Sequence, residues 1–325
     1  MIITVTLNAA IDKTLAVPSF RLGRRHRAVE QASMPGGKGV NVARALKSLG
    51  RPVIATGFAG GHTGARIVEQ LTDEAILCDF VRIRQESRTS TAVVDPTSGE
   101  QTEINEHGPT VTESELGLFV DKLLYLAKGA AMCVFSGSLP RGVDAGLYAE
   151  LVGELRRVGV TTVLDCEGEP LRQAVRAQPN VIAPNQNEAE ELVGHEFADE
   201  EDRHAALPEM VALGAGEAIM TLADGCLALY GDDTDATRPR RMARVMLEPL
   251  EPVSSVGSGD AFLAGYVAGR YDGLSDEECL RFGVACGAES TQHFGAGVID
   301  PREVDRLAAD VALETVDAPA LQVGG

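Results

Sequence analysis

Apolar and polar positions change period several times along this chain, and the changes divide it into elements. Residues 1–7 (Met1-Ile2-Ile3-Thr4-Val5-Thr6-Leu7) read as a strand. Leu15 to Glu30 carries only short, turn-broken strand-like pieces. After Pro35-Gly36-Gly37-Lys38-Gly39 the period becomes that of a helix, Val40 to Leu49, which Gly50 ends. Val53 to Phe58 predicts a buried strand and Gly64 to Leu71 the next helix. From Val81 to Asn105 short alternating strands return, joined by the turn signal Asp95-Pro96-Thr97-Ser98-Gly99. Strand and helix then alternate. Strands are predicted over 130–136, 160–165, 180–183, 217–222 and 226–230, and the helices between them include 113–127, 144–157 and 186–193.

That alternation calls for an α/β fold in which helices cover both faces of a mostly parallel sheet. The turn-rich pieces at about 12–34 and 81–106 break the alternation, and they predict a small separate sheet able to close over a site as a lid. A chain of 325 residues suits one large domain, 1–325. The acidic run Glu196 to Asp202 reads as a solvated loop, and Ala318 to Gly325 as a frayed tail.

Several classes drop out on composition. The first residues lack the basic and apolar regions of a signal peptide, and no apolar stretch approaches the ~20 residues that span a bilayer. Six cysteines without C-x-x-C spacing read as reduced thiols of a cytoplasmic protein. A net charge of −19 argues against nucleic acid or an anionic membrane as partner. Against it, Arg21-Leu22-Gly23-Arg24-Arg25-His26-Arg27 packs four arginines into seven residues. This is either a solvated basic turn or part of an anion site, and Lys38 and Arg88 favour the second.

The richest stretch is Val256-Gly257-Ser258-Gly259-Asp260 followed by the apolar run from Ala261 to Ala268. It reads as a loop entering a helix, where unpaired backbone N–H groups and the helix dipole favour an anion. A carboxylate there would repel a phosphate unless it has a task, and the obvious task for Asp260 is to take a proton from an attacking hydroxyl. An ordinary helix cap is the alternative. Other candidates fall at predicted strand ends, where ligands bind in open parallel sheets. Asp12 can accept from sugar hydroxyls or simply make an Asx-turn. Gly36-Gly37-Lys38-Gly39 lacks the Walker A spacing, but it allows close backbone approach beside a lysine. Ser138 lies in Ser136-Gly137-Ser138-Leu139-Pro140. Asn185 and Glu188 suit Mg²⁺ held through water, and equally suit a helix capping box. Thr221-Leu222-Ala223-Asp224-Gly225 ends a strand where a nucleotide could touch.

These segments, in this order, resemble the PfkB-type branch of the ribokinase family. They look most like its hexose-phosphate kinases: 1-phosphofructokinase, tagatose-6-phosphate kinase and the minor 6-phosphofructokinase. The matching pieces run from residue 4 to about 297. They include Thr6-Leu7-Asn8-Ala9-Ala10-Ile11-Asp12, the Gly36 to Arg44 loop and helix, Asp165-Cys166-Glu167-Gly168-Glu169 and Pro184-Asn185-Gln186-Asn187-Glu188. The resemblance implies a ribokinase-like three-layer sandwich with a β-sheet lid. It implies Asp260 as base, with the N–H groups of Gly257, Ser258 and Gly259 as anion hole. Asp12, Gly37 and Asn41 would hold the sugar hydroxyls. Arg25, Arg27, Lys38, Arg88 and Ser138 would hold the sugar's existing phosphate. Asn185, Thr221, Gly225, Gly257 and Gly259 would meet the nucleotide, and Asn185 with Glu188 would organise Mg²⁺ through water. ATP with Mg²⁺ is the implied cofactor set, and the resemblance also allows a monovalent cation.

The resemblance leans to fructose 1-phosphate as substrate, with tagatose 6-phosphate, fructose 6-phosphate and a non-catalytic sugar-phosphate sensor as alternatives. Lids of this kind often pair with a second subunit, which implies a homodimer through the lid sheet. The chain departs from the family where Ala183 precedes Pro184, and where the Ser-Leu-Gly-x-x-Gly element is shortened to Thr221–Gly225. Both departures fall where nucleotide phosphates would lie.

Overall fold

In the computed structural model, which describes residues 1–316 apart from 233 and 236, the first strand sits where two cores meet. All five residues of β1 (Ile2–Thr6) are buried. Ile2 joins one apolar cluster, while Ile3 and Val5 join another. Successive side chains leave a strand on opposite faces, so a continuously apolar strand must be covered on both.

The chain continues through β2 (Ala10–Ala16), β3 (Glu30–Gly36), α1 (Lys38–Ser48), β4 (Val53–Gly60), α2 (Gly61–Asp73) and β5 (Leu77–Ile83). Next come β6 (Arg88–Val94), β7 (Gln101–Asn105), α3 (Glu113–Ala127), β8 (Met132–Ser136), α4 (Leu147–Arg157), β9 (Thr161–Asp165) and α5 (Gly168–Val175). The second half holds β10 (Val181–Ile182), α6 (Gln186–Val193), α7 (Glu200–Ala212), β11 (Glu217–Leu222), β12 (Gly225–Tyr230) and β13 (Arg241–Met246). It closes with α8 (Ser258–Asp272), α9 (Asp276–Ser290), α10 (Pro301–Asp310) and β14 (Ala312–Val316).

Ten strands form one sheet in the order β14-β13-β12-β11-β10-β9-β8-β1-β4-β5. The pairings from β5 across to β11 are parallel, and β12, β13 and β14 extend the sheet antiparallel. Side chains of α1, α2, α8, α9 and α10 fill the cluster on one face, and those of α3 to α7 the cluster on the other. The three-layer α/β arrangement expected from the sequence is present. Apolar on nearly every side, α8 is buried from Asp260 to Gly269. It lies close to α9 because Gly265 and Gly269 have no side chain. A Cβ at Gly265 would stand 2.6 Å from the sulfur of Cys286.

A second sheet, ordered β3-β2-β6-β7, is the expected small one. Its extent is corrected, however. Residues 81–83 belong to β5, an edge strand of the large sheet paired with β4, so the small sheet takes nothing before Arg88 from this region. Alternation alone could not separate two neighbouring strands that join different sheets. The acidic run also differs from expectation. Asp199 caps α7, and Glu200, Glu201 and Asp202 occupy its first turn, where the helix dipole favours negative charge. The tail from Ala318 lies outside the described residues.

Gly57 lets β4 lie against β1. It pairs with Thr6 at a φ of 146°, and a Cβ there would fall 1.9 Å from the Thr6 carbonyl oxygen. Gly50, at φ 73°, has open space around it. Gly57→Ala is therefore expected to destabilise the fold by about 3–5 kcal/mol, combining overpacking with backbone strain. Gly50→Ala should cost only about 1–2 kcal/mol. Urea denaturation of the two variants checks the difference, and equal losses would contradict it.

Candidate active site

A cavity of about 1270 Å³ opens at the carboxyl ends of the parallel strands, walled on one side by the small sheet. The start of α8 forms part of its wall. Gly257 turns the chain into this helix at φ 78°, and no side chain caps it, although the Ser258 N–H donates to the Ser255 carbonyl at 3.3 Å. A Cβ at Gly257 would meet that of Ala296 at 2.7 Å, so only glycine fits this approach.

Asp260 sits buried in the first turn. The amide of Asn41 donates to its Oδ2 at 2.8 Å. Arg44 in turn donates to Asn41 Oδ1 at 3.2 Å and to the carbonyls of Ala296 and Pro35 at 3.0 and 2.7 Å. Burial first, then the negative charge of Asp165, raises the Asp260 carboxyl to about 8, with Lys38 and Asn41 opposing.

The sugar-side candidates line the same cavity. Burial raises the Asp12 carboxyl, while the Arg88 guanidinium and the Gly37 N–H oppose the shift. Arg88 donates through Nε to the Asn8 carbonyl at 3.0 Å and through Nη1 to Ser90 at 2.9 Å. Ser138 accepts from the Asn8 amide at 3.1 Å. Thr6 Oγ1, Asn8 Oδ1 and Ser136 Oγ are buried here without a protein partner, which suits them to ligand hydroxyls.

Lys38 differs from expectation in its neighbours. Its Nζ lies 3.0 Å from Asp165 and 3.3 Å from Glu188, and burial notwithstanding, those carboxylates hold its ammonium above the ordinary lysine range. Asn185 and Glu188 do form the capping box of α6, through Glu188 Oε2. Glu188 Oε1 points instead to Lys38. Capping and a role at the cavity wall are therefore compatible. Thr221 bridges to Asn185, and with Gly225 it lines an arm whose apolar residues include Leu247, Pro249, Leu250, Val284 and Ala288. Arg25 and Arg27 are not brought in: they stand exposed on the loop between β2 and β3, outside the cavity lining. Sequence reasoning also assigned no role to Thr6, Asn8, Ser136 or Asp165. Their shared signal is position at the carboxyl ends of β1, β8 and β9, which becomes a site only when those strands are neighbours.

Residues 5–302 match the model of the pfkB family of carbohydrate kinases. The chain belongs to that family. A tagatose-6-phosphate kinase of Staphylococcus epidermidis is 32% identical over 311 residues, 94% of this chain and 97% of that one. Phosphofructokinase-2 from Escherichia coli, in complex with substrates and products, superposes with a TM-score of 0.87 at 29% identity, over 95% of this chain and 98% of that one. Its other structures include a potassium complex and a tetrameric inhibited form. A possible 1-phosphofructokinase from Thermotoga maritima gives 0.88 at 26% identity, over 98% and 100% of the two chains. The fold is the ribokinase-like α/β fold, and the protein is a carbohydrate kinase. Kinases of this family use ATP with a divalent metal. Asp165 and Glu188 fit such an ion, since they offer oxygen donors on one cavity wall to a hard cation that keeps part of its water.

The raised Asp260 carboxyl has a stability consequence of defined sign. The folded ligand-free protein keeps a proton that the unfolded chain releases, so this group lowers stability progressively as pH rises from about 4 to about 8, and by a constant amount above. Asp260→Asn should therefore raise Tm, and by more at pH 8 than at pH 5. A gain independent of pH, measured by calorimetry, would contradict the buried, raised carboxyl.

Proposed function

We propose that this kinase transfers the γ-phosphoryl group of Mg·ATP to the free primary hydroxyl of a ketohexose phosphate, first of all fructose 1-phosphate, giving fructose 1,6-bisphosphate. The observation that carries the reading is the placement of Asp260, at an uncapped helix N-terminus, in the same cavity as Arg88 and Asp12. In this mechanism Asp12, Gly37 and Asn41 orient the sugar through its hydroxyls. Asp260 takes the proton of the attacking hydroxyl as its oxygen bonds to the γ-phosphorus and the bond to the β-phosphate oxygen breaks, releasing ADP. A carboxyl titrating near working pH suits a general base, whose contribution is roughly 10²–10⁴-fold. The N–H groups of Gly257 and Gly259, and that of Ser258 once it leaves its 3.3 Å bond to the Ser255 carbonyl, meet the charge on the transferred group. Magnesium held through water near Asn185, Glu188 and Asp165 supplies charge neutralisation of the nucleotide phosphates. Thr221, Gly225, Gly257 and Gly259 complete the nucleotide side, and a monovalent cation, as in the Escherichia coli relative, fits the same reading.

Arg88 and Ser138 are the groups best placed for the sugar's own phosphate. Lys38, bonded to the carboxylates of the metal side, suits the transferred phosphoryl group better than the sugar's phosphate. Arg25 and Arg27 need lid closure or a second subunit to reach a substrate. A homodimer through the small sheet would supply the latter, and it would cover Leu22, Val29 and Ile104, which are 90%, 70% and 61% exposed. Val17 and Val93 of the same sheet region are buried within the subunit and take no part in such a contact. Tagatose 6-phosphate is the second reading, favoured by the 32% identical Staphylococcus epidermidis kinase.

Four measurements test this. Asp260→Asn is expected to lower kcat at least about 100-fold with an unchanged circular dichroism spectrum. Near-full turnover would remove Asp260 as base. Arg88→Gln should raise KM for the sugar phosphate tenfold or more, matching about 1.5–3 kcal/mol for a charge-assisted contact, and leave KM for unphosphorylated fructose little changed. Equal effects on both sugars would move the phosphate elsewhere. Light scattering at micromolar concentration should give the dimer mass, and a monomer mass would exclude the lid interface. A panel of fructose 1-phosphate, fructose 6-phosphate and tagatose 6-phosphate with ATP decides among substrates.

A further inference from the structure

The turn between β11 and β12 holds a charge pair that none of the roles above uses. Leu222 pairs directly with Gly225, so the turn has only two residues, Ala223 and Asp224. Gly225 runs at φ 147°, and a Cβ there would strike the Val245 carbonyl at 2.1 Å, which presses the turn onto β13. Asp224 lines the cavity with its side chain 45% exposed. Arg244, buried on β13, donates through Nη2 to Asp224 Oδ1 at 2.5 Å. Its Nη1 donates to the carbonyls of Cys226 and Val245 at 3.1 and 2.8 Å. The Leu247 N–H donates to the Asp224 carbonyl at 3.0 Å, tying the turn to the first residue of the apolar arm.

This turn lines the same cavity as the residues assigned to the nucleotide. Thr221, three residues before Asp224, bridges to Asn185, beside Glu188 and Lys38. On the other side stand Leu247, Pro249 and Leu250, an apolar wall for a flat base. A phosphate chain starting from a base on that wall would run close to the Asp224 carboxylate, because Leu247 is hydrogen-bonded to the Asp224 backbone. An unpaired Asp224 would repel it, because Coulomb forces between partly exposed charges a few ångströms apart amount to about 1 kcal/mol even in water.

We propose that Arg244 is a positioning residue for nucleotide binding. By pairing with Asp224 from beneath the turn, it neutralises and turns aside a carboxylate that would otherwise oppose the phosphates of ATP. The shortened turn makes this necessary, since it leaves a charged residue at the tip facing the cavity. The inference rests on the nucleotide assignment made under Proposed function.

The test is calorimetric titration of the full chain with Mg·ATP and with adenosine, which carries the base and no charge. Arg244→Gln should weaken Mg·ATP binding about fivefold, the size of one partly screened charge interaction, and leave adenosine unchanged. The loss should shrink in high salt. Asp224→Asn, which keeps the turn, should bind Mg·ATP at least as tightly as the unmodified protein, and it reads the same interaction if Arg244→Gln does not fold. Combining the two substitutions should restore most of the lost affinity. Equal losses for Mg·ATP and adenosine in Arg244→Gln, no loss in either, or weaker Mg·ATP binding by Asp224→Asn would each overturn the proposal. Unmodified protein that binds adenosine but no Mg·ATP at millimolar concentration overturns the nucleotide assignment, and this inference with it.

Discussion

One buried guanidinium, that of Arg44, fixes the parts of the site relative to one another. It reaches the carbonyl of Pro35 at the foot of the small sheet, the carbonyl of Ala296 behind Gly257, and the carboxylate of Glu74 at the end of α2. Through Asn41 it also orients the carboxylate of Asp260. Arginine is suited to this because its donors lie in a rigid plane and its charge persists on burial. Four segments distant in sequence are thereby held to one geometry. A phosphoryl-transfer site needs that rigidity, since its catalysis comes from positioning and fixed charge more than from covalent chemistry by the protein.

The charge layout of the cavity follows from what it must hold. Asp12, Asp165, Glu188 and Asp260 face Lys38 and Arg88 in a protein of net charge −19. Without a metal such a wall would oppose a nucleotide triphosphate. Lys38 offsets part of that charge through its pairs with Asp165 and Glu188. Burial first, then Asp165, raises the Asp260 carboxyl while Lys38 opposes, so its proton affinity depends on the same Lys38–Asp165 pair that forms this part of the wall.

Glycine carries much of the close packing around this centre. At Gly36 a Cβ would lie 1.9 Å from Asp12 Oδ2, and at Gly297 one would lie 2.4 Å from the Asn41 carbonyl oxygen. Gly36 lets backbone lie against a functional side chain, and Gly297 lets it lie against the backbone that carries Asn41. The Gly-rich segments are therefore spacers that set distances in the site as well as turns.

By itself the sequence determined the layer architecture, because strand and helix periods are local. Helices over 113–127 and 186–193 could be read to the residue. It also marked where α8 begins, since Gly257-Ser258-Gly259-Asp260 and the apolar run behind it are contiguous. Only the tertiary structure decided which strands share a sheet. Residues 81–83 and Arg88 onward carry similar alternation, yet they pair with different partners across the two sheets. It alone placed Lys38 against Asp165 and Glu188, 127 and 150 residues away, left Arg25 and Arg27 outside the cavity, and set Arg244 beneath Asp224. Periodicity records which face of an element is buried. It does not record which other element does the burying, and a charged side chain takes its role from that neighbour.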